Sequence, residues 1–95
     1  MVTLSSHPTV PSDVQFRDLG GEAVLLHVGT GRYFGLDEAG TRIWSLLAES
    51  GDLAEVHRRM IAVYQVAPAQ LERDILAFVE TLSKQGLLTL DEQGP

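Results

Sequence analysis

Residues 31–44 read G-R-Y-F-G-L-D-E-A-G-T-R-I-W, and the spacing of apolar residues changes period inside them. From Arg32 to Leu36 the pattern is that of a strand, in which Phe34 and Leu36 share one face and read as core. Asp37 follows, with a short side chain suited to accept from the free N–H groups that open a helix. After it Ala39, Ile43, Leu46 and Leu47 fall on one helical stripe with Trp44 beside it, and Ser50-Gly51 ends the run. This segment therefore joins a sheet to a helical unit.

Toward the N-terminus the strand pattern continues. Gly29-Thr30-Gly31 is a tight turn, because glycine reaches positive φ without steric cost. Before it, Glu22 to Val28 carries Val24, Leu25, Leu26 and Val28, read as a buried run. Gly20-Gly21 marks another turn. Val14, Phe16 and Leu19 alternate with Gln15, Arg17 and Asp18 in a first strand. These pieces predict a three-stranded antiparallel meander. So small a sheet needs helices on one face to be stable.

Toward the C-terminus two more helices are predicted. Asp52 caps one bearing Leu53, Val56, Met60, Ile61 and Tyr64. Pro68 suits the first turn of the next. There Leu71, Ile75, Phe78, Val79 and Leu82 follow the spacing of one buried face. Gly86 is placed to stop that helix, and Leu87, Leu88 and Leu90 return to the core. The fold class is α+β, winged helix-turn-helix-like, with three strands followed by three helices. The domain is expected over residues 13–90. Residues 1–12, with Ser5, Ser6, Pro8, Pro11 and Ser12, are expected to be a flexible tail, and residues 91–95 a frayed end.

Bulk properties exclude several functions. A chain of 95 residues makes one domain with a thin core. It has no cysteine, which removes disulfides, thiolate zinc sites and a cysteine nucleophile. A net charge of −6 disfavours nucleic acid and anionic membranes as partners. No apolar run reaches the roughly 20 residues needed to span a bilayer. Residues 1–12 have neither the basic nor the apolar region of a signal peptide. A cytoplasmic protein is expected.

Catalytic and metal chemistry find no constellation. His7, His27 and His57 are the three histidines, and none has metal-ligand spacing to another. Gly20-Gly21 and Gly29-x-Gly31 lie between strands, not at the strand-to-helix junction a phosphate loop requires. Asp37-Glu38, Asp91-Glu92 and Asp13 with Asp18 read as caps and solvated surface. No nucleophile elbow occurs. No cofactor, metal or enzymatic activity is expected. A winged-helix DNA binder would need a basic third helix, but Arg73 and Lys84 there face Glu72, Asp74 and Glu80.

The segment 31–44, together with S-G-D-L-A-E-V (50–56), Y-Q-V (64–66), E-R-D-I-L-A-F-V-E-T-L (72–82) and G-L-L (86–88), resembles the PqqD-like family. Its members are the precursor-peptide recognition elements of ribosomally made, modified peptides. The resemblance runs from about Val14 to Leu90. The hairpin G-T-G-R-Y-F-G-L is most similar to the stand-alone leader-binding proteins of lasso-peptide pathways. It differs from the branch serving pyrroloquinoline quinone synthesis.

The resemblance implies a non-catalytic adaptor that binds a leader peptide as an added strand along Arg32, Tyr33, Phe34, Gly35 and Leu36. Specificity would come from the groove between that strand and the third helix. Helical phase at about 100° per residue offers two flanks to that groove. The flank of Asp74, Ala77, Phe78 and Thr81 is preferred, since small Ala77 and Thr81 leave room for a leader side chain. The implied partner is a separate leader peptidase of the papain- or transglutaminase-like cysteine protease type. The alternatives are a chaperone for a radical-SAM maturase and, in another class, the DNA binder.

Overall fold

The computed structural model describes residues 2–20 and 22–90. Three strands, β1 (Val14–Asp18), β2 (Ala23–His27) and β3 (Arg32–Leu36), precede three helices, α1 (Glu38–Ser50), α2 (Leu53–Val63) and α3 (Pro68–Lys84). The sheet is antiparallel in the order β1-β2-β3, so β2 is central and β1 and β3 are edges. Phe16, Leu25 and Phe34 lie in register across it, as do Asp18, Ala23 and Leu36. The α+β arrangement of the sequence reading is the one found.

Each helix starts where its cap predicts. Asp37 accepts from the Gly40 N–H at 2.7 Å, and Asp52 accepts from Ala54 at 3.0 Å. Such a cap stabilises by about 1 kcal/mol. Pro68 opens α3 without a side-chain cap. Gly51, at φ 67°, and Gly86, at φ 77°, hold the left-handed turns that end α1 and follow α3.

The core joins Ala23, Leu25 and Leu36 of the sheet to one face of each helix. Those faces carry Ile43, Trp44 and Leu47 from α1, Leu53, Val56 and Met60 from α2, and Leu71, Ile75, Val79 and Leu82 from α3. Leu87 and Leu88 close it after α3. Burying a residue such as Leu25 or Ile75 contributes roughly 1.5–3 kcal/mol.

Four expectations are corrected. Val24 and Leu26 do not join Leu25 in the core. The two-residue repeat turns them to the opposite face of the sheet, where they are half-buried, and Val28 beyond the strand is 54% exposed. In α1 the buried residue of the first turn is Gly40, not Ala39. A Cβ on Gly40 would come within 3.1 Å of the Phe78 ring, so glycine lets α1 and α3 approach here. Ile61 of α2 is exposed. Finally, residues 2–12 of the expected tail pack instead of hanging free. Val2 and Pro8 are buried, and Thr9 exchanges backbone hydrogen bonds with Thr89 at 2.8 and 2.9 Å. Gly21 and the predicted end at 91–95 lie outside the described residues.

Candidate functional site

The register fixes which backbone groups of β3 are free. In an antiparallel strand, successive residues direct their N–H and C=O to opposite sides. The Val28 N–H donates to Asp13, so residue 28, and by alternation 26 and 24, face β1. The His27 C=O accepts from Gly31 at 2.7 Å, so 27, 25 and 23 face β3. Their register partners are Arg32, Phe34 and Leu36, whose backbone groups therefore point inward to β2. Tyr33 and Gly35 point the other way, to the outer edge. No strand of the described residues pairs with them there. Two residues with outward-facing N–H and C=O form a short template for another strand.

Side chains divide along the same strand. Phe34 is half-buried against the core and Leu36 is buried, whereas Tyr33 is 74% exposed on the far face beside Leu19, Val24 and Leu26. Arg32 lies on the core-side face at the open end of β3. Gly35 has no atom of the described residues within 4 Å of where its Cβ would be, so they leave that face of β3 uncrowded at that point.

On the core-side face the edge borders a cleft of about 490 Å³, lined by His27, Gly31, Arg32, Tyr33 and Phe34 from the hairpin and by Gln85 and Leu87 from the end of α3. Phe78 is half-buried and touches Gly40, just after β3. Gln85, Phe78, Asp74 and Thr81 share one flank of α3 by helical phase. Two of them, Gln85 and Phe78, reach β3 and its junction with α1. Asp74 is exposed and accepts from Gln70 at 2.8 Å; Thr81 and Ala77 are exposed. Neither Asp74, Ala77 nor Thr81 lines the cleft.

Sequence reasoning missed His27 and Leu87, while helical phase puts Gln85 on the same flank as Asp74 and Thr81. The ring of His27 turns over the hairpin. Its Nδ1 accepts from the Thr30 N–H at 3.2 Å. Leu87 follows the helical repeat, where phase no longer predicts direction. The signal available was Gly86, whose left-handed turn folds Leu87 back.

Other chemistry stays scattered. His57 Nε2 is 2.8 Å from the Pro68 carbonyl, where it joins α2 to α3. Among the described residues no group of three side chains could hold a metal ion. None of the described helices is long and apolar enough to cross a membrane. Among the described residues Arg58, Arg59 and Lys84 of the helical unit are paired with Glu55, Glu49 and Glu80.

A meander preceding a three-helix unit, with one strand edge open beside a cleft, defines a class of small α+β domain. The chain belongs to the PqqD family: the model described as coenzyme PQQ synthesis protein D matches residues 22–88. It is similar to TbiB1, solved in complex with the TbiA(beta) leader peptide, at 40% identity and a TM-score of 0.82, over 85% of this chain and 94% of that one. A lasso peptide synthetase B1 complexed with its leader peptide shares the fold, at 24% identity and a TM-score of 0.80, over 86% and 96% of the two chains. No curated protein matches.

Proposed function

We propose that this chain binds the leader of a ribosomally synthesised precursor peptide as a fourth strand on β3 and presents it to a separate maturation enzyme. The observation that carries this reading is the open edge at Tyr33 and Gly35 beside a ready cleft. A relative of 40% identity, complexed with a leader peptide, supports it. Backbone groups of Tyr33 and Gly35 supply a ladder that tolerates varied sequences. Arg32, Phe34 and Leu36 face the leader side chains that point toward α3, and Gln85 and Leu87, with Phe78 further along α3, form the opposite bank.

The chain acts as an adaptor without catalysis, in the cytoplasm. Its enzyme partner is a cysteine-protease-type leader peptidase, as in lasso-peptide maturation. Affinity on the order of −8 to −11 kcal/mol is expected once the cost of ordering the leader is subtracted. The test is a fluorescence-polarisation titration with the leader of the precursor encoded beside this chain. Saturable binding at micromolar concentration or below is expected. Absence of binding, with binding to duplex DNA instead, would overturn the reading.

A further inference from the structure

The cleft beside β3 is not chemically uniform. Phe34 and Leu87 make its apolar part. At the other end His27 and Arg32 are cross-strand partners, and Gln85 approaches from α3. The Thr30 backbone N–H can only donate, and it donates to His27 Nδ1. That nitrogen therefore carries no proton, and the ring proton is on Nε2. Nε2 lies on the side of Gly86, 3.8 Å from where a Cβ there would be, and makes no hydrogen bond among the described residues.

Arg32 is likewise without a carboxylate at ion-pair distance among the described residues. Guanidinium carries five donors and no acceptor. In a chain with 13 acidic and 7 basic side chains, a cleft lined by an arginine and by no acid is a departure from the average surface. Asp13 lies on the Gly29 side of the hairpin, its Oδ2 3.5 Å from where a Gly29 Cβ would be, and does not line the cleft. The carbonyls of Thr81, Leu82 and Ser83 at the end of α3 are already bonded to the N–H groups of Gln85, Gly86 and Leu87. The negative end of that helix is therefore partly neutralised.

We propose that the Arg32 end of this cleft is a carboxylate subsite, which selects an aspartate or glutamate of the bound peptide. This rests on the strand-addition reading and deepens it. A residue of an added strand directly opposite Arg32 has its Cβ about 5 Å away on the same face. The residue two positions along faces Phe34 on that same face. The leader therefore carries an acidic residue two positions from an apolar one, with Arg32 bonding the carboxylate and His27 Nε2–H and the Gln85 amide completing the donors.

The experiment is a polarisation titration of the fluorescein-labelled leader of the precursor encoded beside this chain. Peptides in which each Asp or Glu is changed singly to Asn or Gln are run in parallel. One amide peptide is expected to bind at least about tenfold more weakly, the range for a hydrogen bond to a charged group. Arg32→Gln should weaken the unmodified leader similarly and that amide peptide no further. Arg32→Glu should prefer a peptide with lysine at that position. Arg32 is exposed, so unchanged thermal melts should show that the variants fold.

A leader without an acidic residue in the bound stretch overturns the subsite. So does binding within twofold for all amide peptides, or a loss in Arg32→Gln that every amide peptide shares equally. Each of these leaves strand addition standing. No binding of the wild-type chain to any of the peptides overturns strand addition itself.

Discussion

The two edges of the sheet differ in what the chain does with them. Beside β1 lies a hollow of about 450 Å³ walled by Val14, Phe16, Trp44 and Leu47, but Pro8, Thr9 and Val10 of the N-terminal segment form its other wall. The Val14 N–H is taken by Pro11. Beside β3 the hollow is of similar size, with no strand of the described residues across it. One edge is thus partly furnished by the N-terminal segment, and the other is left open by the described residues. An exposed edge alone does not make a peptide site. It becomes one where a cleft adjoins it and the chain leaves that cleft open.

The largest effect should come from proline at the open edge. Gly35→Pro removes an outward N–H without touching the β2–β3 ladder and sets its ring against the incoming strand, so leader binding should be lost. Phe16→Pro removes an outward N–H of β1 and should leave leader affinity unchanged. Phe34→Pro differs from both, since it breaks an inward bond and should lower the melting temperature of the whole domain. Equal losses of binding at Gly35 and Phe16, by titration on folded proteins, would erase the distinction between the edges.

Next comes Phe78→Ala. It should weaken leader binding by about 1–3 kcal/mol and also destabilise the fold, because the ring rests against Gly40. Phe16→Ala at the other hollow should not change binding. Removing residues 1–12 takes away the burial of Val2 and Pro8 and the Thr9–Thr89 bridge. It should cost about 1–3 kcal/mol by denaturant unfolding, while leader affinity stays within about twofold. Asp37→Ala should lower stability by about 1 kcal/mol through loss of its cap, again without a selective effect on either edge.

The helices and turns were legible because local chemistry decides them. Asp37, Asp52, Pro68, Gly51 and Gly86 each act through the backbone next to them. The open edge was legible in outline: Arg32–Leu36 was the predicted strand. Which of its amides face outward was not, since that depends on the parity of pairing with β2. Residues 1–12 carry too few apolar residues to show periodicity. Val2 and Leu4 nonetheless find places against the core that only the assembled fold creates. The cleft was half legible. Helical phase selects the flank of Phe78 and Gln85 and extends it to exposed Ala77, but cannot follow the chain past Gly86 to Leu87.

Amide hydrogen exchange tests the central claim most directly. In the free protein, the N–H groups of Tyr33 and Gly35 should exchange quickly and those of Phe34 and Leu36 slowly. Saturating leader peptide should slow Tyr33 and Gly35 by about tenfold or more, as a 1.4 kcal/mol ladder bond implies, and leave Phe16 and Asp18 of β1 unchanged. Protection appearing along β1 instead, or binding with no protection at Tyr33 and Gly35, would contradict strand addition at β3.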